Sequence, residues 1–399
     1  MAGKNRLIAG ESYSPNLGDG VIAESLAFLF QQKDPIVENS FLDISLRQNW
    51  GAGGGEQNGR LKTTLQSLRH HLGDRTYNRL VWPTLKRSRS QQAWEPVLQN
   101  SSALIIGGGL LLMDNDLDFP LKLNTLVKMA VAHQLPVHFV ACGVGHNRPW
   151  SKQGLRLIHE ALAEAQTVTL RDQLSQDKLS ELIPDIKTAV TFDPAIWARA
   201  VYGPPANQSA APLIGLGVIQ VDKINAYNQK NAPLSADDMR NFWLKIIALL
   251  QQQDKNVELF SNGSVKDSGF AKEIAEAASA QLRLTVPVAP PPQRPDQLVH
   301  TINRYTGAIV FRLHASIIAS AYRIPTVGLI WDQKVHAFYA ETQRQDFCFD
   351  IFSSQPETIV KSLNTALASG IAETALTFWK TKARQTVTIP LQKEDTVNA

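Results

Sequence analysis

Short apolar runs rich in Val, Ile and Leu alternate with longer amphipathic stretches along the whole chain. That rhythm is the mark of parallel sheets covered by helices, because a strand buried on both faces reads as a continuous apolar run. Strands are predicted at residues 7–10, 103–106, 136–140 and 167–170, with helices between them such as 151–165. A second series is predicted at residues 213–218, 257–260, 284–288, 307–311 and 326–330. Between the two series, residues 202–212 read Y-G-P-P-A-N-Q-S-A-A-P, the Pro, Gly and small polar residues of a linker.

The pattern therefore predicts an N-terminal α/β domain over residues 1–202, a linker over 203–212, a C-terminal α/β domain over 213–388 and a flexible polar tail over 389–399. Two Rossmann-like domains facing a cleft amount to a GT-B-like arrangement. A length of 399 residues agrees with two cores rather than one. In open parallel sheets ligands bind beyond the carboxyl ends of strands, so residues that follow strands are the first candidates for chemistry.

Composition narrows the class without changing the fold. Forty Lys plus Arg against thirty-six Asp plus Glu leave a charge of only +4, too small to indicate nucleic-acid binding. Cys142 and Cys348 are far apart and flanked by apolar residues, which reads as buried thiols in a reducing compartment. The apolar runs, such as 104–113, fall short of the roughly 20 residues that a membrane helix needs. No leader pattern precedes the first predicted strand, so a cytoplasmic location is expected. The nine histidines are scattered and no H-E-x-x-H or paired C-x-x-C occurs, so no metal is expected.

The strongest candidate is the strand-to-helix turn at Arg312, Leu313 and His314, followed one strand later by Trp331, Asp332 and Lys334. A helix N-terminus offers N–H groups and a positive dipole end, and an arginine beside it can grip a carboxylate or phosphate through two parallel hydrogen bonds. An imidazole that titrates near neutrality suits a general acid. The ordinary alternative is that Arg312 pairs with a surface carboxylate and His314 merely starts a helix. Arg171 and Asp172 follow the strand at 167–170, with Asp172 placed as a helix N-cap and Arg171 as a second cation for an anion. Glycines at 14–20 and at 107–109 permit close backbone approach but form no nucleotide fingerprint. Residues 60–94 carry eight cations, Arg60, Lys62, Arg69, Arg75, Arg79, Lys86, Arg87 and Arg89, against the single acid Asp74, with Trp82 and Trp94 among them. Such a run suits an anionic lipid surface or a lipid-linked pyrophosphate, with a solvated basic face as the plainer reading.

With these residues in view, the sequence resembles the polysaccharide pyruvyl transferase family. The resemblance lies in an ordered set: N-L-G-D at 16–19, G-G-G-L-L-L-M-D at 107–114, L-R-D-Q-L-S at 170–175, D-P-A at 193–195, and F-R-L-H with I-P-T-V-G-L-I-W-D-Q-K between 311 and 334. It implies transfer of a pyruvyl group from phosphoenolpyruvate to two hydroxyls of a sugar, giving a cyclic ketal and phosphate, with no cofactor. Carried over by motif, Arg171, Arg312 and His314 would bind the donor; its two charged ends call for several cations, so Lys334 joins them, with Leu313 beside Arg312, and the ketal chemistry makes His314 the residue that would protonate it. Asn16, Asp19, Gly108, Gly109 and Asp332 would lie on the acceptor side or line the cleft. The acceptor would be a polysaccharide unit or its lipid-linked precursor, met in the cytoplasm or at the inner face of the membrane. Residues 141–147, A-C-G-V-G-H-N, depart from the G-Q-S-x-G-P-like turn common in relatives. Two other readings stay open: a GT-B glycosyltransferase using a nucleotide sugar, which would need a base-and-ribose pocket in the second domain, and a binding protein that kept the fold and lost catalysis.

Overall fold

The computed structural model describes residues 5–50, 69, 71–145, 148–205, 212–228 and 231–398. The chain divides into two compact units, one of Met1–Ser14, Ile22–Pro194 and Lys382–Ala399, the other of Pro15–Val21 and Ala195–Thr381. Each is an α/β unit around a parallel sheet. In the first, β1 (Asn5–Gly10), β2 (Asn39–Asp43), β3 (Ser101–Gly107), β4 (Val137–Cys142), β5 (Thr167–Leu170) and β6 (Ala189–Val190) lie in the order β2-β1-β3-β4-β5-β6. In the second, β7 (Leu213–Gly217), β8 (Asn256–Phe260), β9 (Gly307–Val310), β10 (Thr326–Ile330) and β11 (Cys348–Asp350) lie in the order β11-β10-β9-β7-β8.

Both orders are doubly wound. The first strand of each series has the second on one side and the third on the other, so the winding reverses between β1 and β3 and again between β7 and β9. The central strands are apolar on both faces: Leu7, Ile8, Leu104, Ile105, Ile106, Phe139 and Val140 are at most 1% exposed. Burying each such side chain contributes about 1.5–3 kcal/mol, which is why the apolar runs become strands.

Three differences from the sequence expectation have physical causes. The run at 284–288 forms no strand beyond the single bridge Leu259–Val288. Pro287 and the prolines at 290–292 remove the donors a ladder needs, leaving Leu259 N–H to Pro287 O at 2.9 Å and Ala289 N–H to Leu259 O at 2.8 Å. The division between units falls at Pro194/Ala195, ahead of the expected linker, and residues 206–211 of that linker lie outside the described residues. Finally, residues 389–398 do not leave the fold as a tail but continue the helix Glu373–Asn398. That helix returns the chain to the first unit from Lys382 onward; Ala383, Thr386 and Val387 are buried in the turns just before the expected tail, and Pro390 is buried within it.

Both cysteines are free, with Cys142 buried and Cys348 half-buried, and burial pushes each thiol up to about 12. Among the described residues no helix is long and apolar enough to cross a membrane.

Candidate active site

The strand order of the second unit gathers charged side chains at the carboxyl ends of β7, β9 and β10. Arg312 follows β9 and stands at the N-cap of the helix Leu313–Ala321, where it provides no side-chain cap. The Arg312 carbonyl accepts from the Ala315 N–H at 3.0 Å, closing the first turn, and the start of the helix carries the positive end of its dipole. Arg312 is held from one side by Asp267, whose Oδ2 accepts from both Nη2 and, at 3.2 Å, Nε. Asp267 is 1% exposed and its other oxygen accepts from the Gln220 N–H at 3.0 Å, which ties the loop after β7 to the same carboxylate. The carboxylate that pairs with Arg312 is thus a buried one in the helix Val265–Ala277, not a surface group.

Lys334 arrives from the loop after β10. Asp332 caps the helix Gln333–Glu341, accepting from the Lys334 N–H at 3.1 Å, and its other oxygen lies 2.9 Å from Lys334 Nζ. A third cation, Lys223, comes from the helix Val221–Tyr227 after β7. Tyr227 and Trp331 stack edge to face at 5.1 Å and act as a spacer among the cations. Lys223 and Lys334 lie 5.7 and 5.6 Å from the Tyr227 ring, while Lys334 and Arg312 lie 4.8 and 5.9 Å from the Trp331 ring. Partial burial, followed by the positive charges of Arg312 and Lys334, pulls the Lys223 ammonium below the ordinary lysine range. Burial, with the Asp332 charge adding to it, pushes the Tyr227 phenol up to about 12, so it stays a neutral donor. Three cations therefore face two carboxylates, Asp267 and Asp332, and repel one another across a small space. An anion with two charged ends is the ligand that such an arrangement favours.

His314 is buried in the first turn of the Arg312 helix. It packs against Gly18 so closely that a Cβ on Gly18 would lie 2.4 Å from both His314 Cβ and Nδ1. Gly18 opens the helix Gly18–Lys33 and belongs to N-L-G-D. The segment Pro15–Val21 was expected in the N-terminal domain, but it packs as part of the second unit. Leu17 N–H donates to Asn262 O at 3.0 Å, in the loop after β8, and a side chain at Gly263 would strike Leu17. Asn16 Nδ2 donates to Asp19 Oδ2 at 3.2 Å and Asp19 N–H donates to Asn16 O at 3.0 Å, so this pair shapes the turn. Asn16, Asp19, Arg312, Leu313, His314, Asp332 and Lys334 thus all belong to one unit.

Arg171, Gly108 and Gly109 belong to the other. Arg171 is 4% exposed, with Nε 3.1 Å from Asp172 Oδ2 and Nη1 3.8 Å from Asp193 Oδ2. Arg171 and Asp172 of the R-D motif therefore meet Asp193 of D-P-A within the first unit. Asp172 is also the N-cap, accepting from the Ser175 N–H at 2.7 Å. The guanidinium of Arg171 lies over Gly143, where any Cβ would come within 2.8 Å of it. So the divergent turn keeps a glycine under this arginine; its His146 and Asn147 lie outside the described residues. Gly108 and Gly109 follow β3 with φ of 73° and 71°, at the β1/β3 reversal, and a Cβ on Gly108 would meet Ile22 at 2.0 Å. Asp114, the last residue of that motif, is structural: it accepts from Ser151 N–H and Oγ, both at 2.7 Å, and from Leu117 N–H at 3.0 Å.

The basic stretch is changed most by the structure. Arg60 and Lys62 lie outside the described residues. Trp82 and Trp94, which lie among those cations in the sequence, are 4% and 0% exposed and form part of the first unit's core. An indole gains more from full burial than from a wet surface. Arg75 donates to the Asp114 and Pro149 carbonyls and Arg79 to Gln153 at 2.9 Å, so these two are tied to the protein itself.

A two-unit α/β fold with a parallel, doubly wound sheet in each unit is of the GT-B type, the fold of a class of sugar-handling enzymes. Solved structures agree: UDP-GlcNAc 2-epimerase from Methanocaldococcus jannaschii superposes with a TM-score of 0.57 at 9% identity, over 96% of this chain and 98% of that one. A putative UDP-N-acetylglucosamine 2-epimerase from Listeria monocytogenes gives 0.54 at 9% identity, over 96% and 92%. The trehalose-6-phosphate synthase OtsA gives 0.51 at 9% identity, over 99% and 98%. Identities this low speak for the fold alone. No curated protein sequence matches the chain. The family is shown by a different match: the polysaccharide pyruvyl transferase pattern covers residues 16–333, and the chain belongs to that family of transferases.

Proposed function

We propose that the protein transfers a pyruvyl group from phosphoenolpyruvate to two hydroxyls of a sugar, forming a cyclic ketal and releasing phosphate. The observation that carries this reading is the convergence of Arg312, Lys334 and Lys223 near the start of the helix Leu313–Ala321, with His314 in the first turn of that helix. Phosphoenolpyruvate has a carboxylate at one end and a phosphate at the other, which suits three cations spaced by an aromatic pair.

In this scheme Arg312 takes one anionic group in a two-point grip, with the Leu313 N–H beside it, and Lys334 and Lys223 take the other. His314 gives its proton to the methylene carbon, turning CH2 into CH3 and leaving a cation-like centre at C2. The first sugar hydroxyl adds there and loses its proton. The C2–O bond to phosphate then breaks, and the second hydroxyl closes the ring. One of the two hydroxyl protons replaces the one that His314 gave, and the other leaves with phosphate. Fixed cations that already surround the phosphate stabilise the charge it gains on leaving. The scheme assigns no cofactor, phosphoenolpyruvate serving as co-substrate. Arg171 is assigned to the donor by its motif, and Asn16, Asp19, Gly108, Gly109 and Asp332 to the acceptor side or to shaping the site. A polysaccharide unit, free or lipid-linked, is the acceptor, modified in the cytoplasm or at the membrane's inner face.

The test is to incubate the protein with phosphoenolpyruvate and galactose-, glucose- or mannose-bearing acceptors, following phosphate release and acceptor mass. A gain of one pyruvyl ketal with one phosphate is expected. Absence of any ketal, together with absence of a thermal shift on adding phosphoenolpyruvate, refutes the reading. His314→Gln should lose about 100-fold or more in turnover while keeping donor binding. Arg312→Ala should lose the donor itself. A nucleoside diphosphate released from a sugar nucleotide would favour the glycosyltransferase reading instead.

A further inference from the structure

The first unit contains a pocket of about 700 Å3 that none of the motif residues lines. Five cations surround it, Arg47, Arg69, Lys122 and, from one helical run, Lys86 and Arg89, together with the carboxylates Asp116 and Asp118. The acids that brace Arg47 and Arg69, Glu11 at 2.6 Å with Asp43 at 3.1 Å, and Asp74 at 2.6 Å, are not among the lining residues. The carboxylates nearest the space are shared: Asp118 faces both Lys122 and, at 3.8 Å, Lys86, while Asp116 is 3.8 Å from Arg69. Burial, and then the nearby Asp118 charge, pushes the Asp116 carboxyl up. Lys86 donates to Asn78 Oδ1 at 3.0 Å, and Lys122 to Ser45 Oγ at 2.9 Å, so polar neighbours aim both ammonium groups. Side-chain amides and hydroxyls of Ser45, Gln48, Asn49, Asn78 and Ser90 share the rest of the lining with the apolar Ile44, Leu46 and Trp82.

We infer that this pocket is a second anion site, receiving the phosphate or diphosphate ester of a saccharide. The lining cations outnumber the lining carboxylates, and the nearest charges dominate the field inside a recess. Amide and hydroxyl side chains in the same wall supply the donors and acceptors that sugar hydroxyls require. An added oxyanion would also relieve Lys86, whose ammonium is depressed by burial and by the charges of Lys122 and Arg69. As a phosphate-ester site the pocket stands by itself; as the seat of the acceptor's phosphorylated end it rests on the pyruvyl-transfer reading.

The experiment is a calorimetric titration of the full-length protein with inorganic pyrophosphate, repeated on Arg312→Ala and on the double variant Lys86→Gln, Arg89→Gln. Two sites are expected in the wild type and one in each variant, with the double variant weakening its site at least tenfold. Arg89 is exposed, so Arg89→Gln alone should weaken that site about threefold without moving the unfolding midpoint, which guards against a folding defect. Two sites in the double variant, or one wild-type site lost only in Arg312→Ala, overturns the inference. Loss of one site in the double variant but not in Arg312→Ala upholds the pocket and removes support from the donor reading. A soluble glycosyl diphosphate should bind the pocket at least as tightly as pyrophosphate, and weaker binding overturns the saccharide assignment. Phosphatidylglycerol vesicles retained by the wild type and lost by the double variant would reassign these cations to a membrane surface.

Discussion

Replacing Lys223 with methionine should weaken the donor and slightly strengthen the empty protein, a pair of opposite effects that an ordinary surface lysine would not produce. Lys223 belongs to no family motif, yet it feels Arg312 and Lys334 as the like charges that help pull its ammonium down. Its chain end reaches solvent, so only the lower range of a charge-assisted hydrogen bond applies, about 1.5 kcal/mol, or roughly tenfold in affinity for phosphoenolpyruvate. The repulsion removed from the empty site is screened by water and is worth about 0.5 kcal/mol. The pH dependence has a definite sign. Because the folded ammonium titrates below the ordinary 10.5, the unfolded chain binds more protons between the two values, and stability rises with pH across that window. Lys223→Met should lose that alkaline gain. Phosphoenolpyruvate binding should restore the ammonium's proton affinity, so wild-type binding in alkaline buffer should take up protons, read as a dependence of the binding heat on the buffer's ionisation heat. Calorimetry and urea unfolding at neutral and alkaline pH measure all of this. Unchanged affinity in Lys223→Met, or a loss of stability equal to the loss of affinity, refutes the placement of Lys223 in the anion site.

Asp267→Asn keeps an acceptor for the Gln220 N–H but removes the charge opposite Arg312; the expected loss is about 2–3 kcal/mol by urea unfolding, below the 3–5 kcal/mol of a fully truncated buried pair. Added phosphate should recover part of that loss in the variant, since an anion replaces the missing charge. Gly18→Ala places a methyl 2.4 Å from His314 Cβ and Nδ1, so it should cost about 1–3 kcal/mol and lower turnover by displacing the imidazole. In a double-mutant cycle with His314→Gly the stability penalty should shrink, whereas additive penalties would place the strain elsewhere. Ala141, next to last in β4, has a φ of 47°, a left-handed conformation that costs an alanine about 1–2 kcal/mol. Ala141→Gly should therefore raise stability by about 0.5 kcal/mol after the glycine's extra unfolded-state entropy, read as a higher thermal midpoint.

The central strands were legible in the sequence because parallel strands buried on both faces have no choice but to be apolar. The edges were not. β2 reads N-S-F-L-D, β6 has two residues and β11 three, and each pairs on one side only, so none needs an apolar run. The prolines after Val286 carried the opposite lesson, since apolar and β-branched character cannot replace a missing N–H. The C-terminal tail was misread for a related reason: its polar composition hid the continuation of a helix that buries Ala383, Thr386 and Val387 just before it and Pro390 within it.

For the site, position after a strand was enough to select Arg312, His314 and Lys334, because the carboxyl edge of a parallel sheet is where loops converge. Asp267 and Lys223 carry no such mark: one is a first-turn acid in an amphipathic helix and the other a lysine in a seven-residue helix. What recruits them is strand order. With β8 and β9 on either side of β7, the segments following all three end beside one another, and only then does the acid after β8 meet the arginine after β9. The same holds for N-L-G-D, which lies near the opposite end of the chain from R-L-H and still delivers Gly18 to the face of His314. A motif of that kind reads as a loop in sequence and as a wall of the site in three dimensions. A glycine is required there because the imidazole occupies the space where any side chain would go.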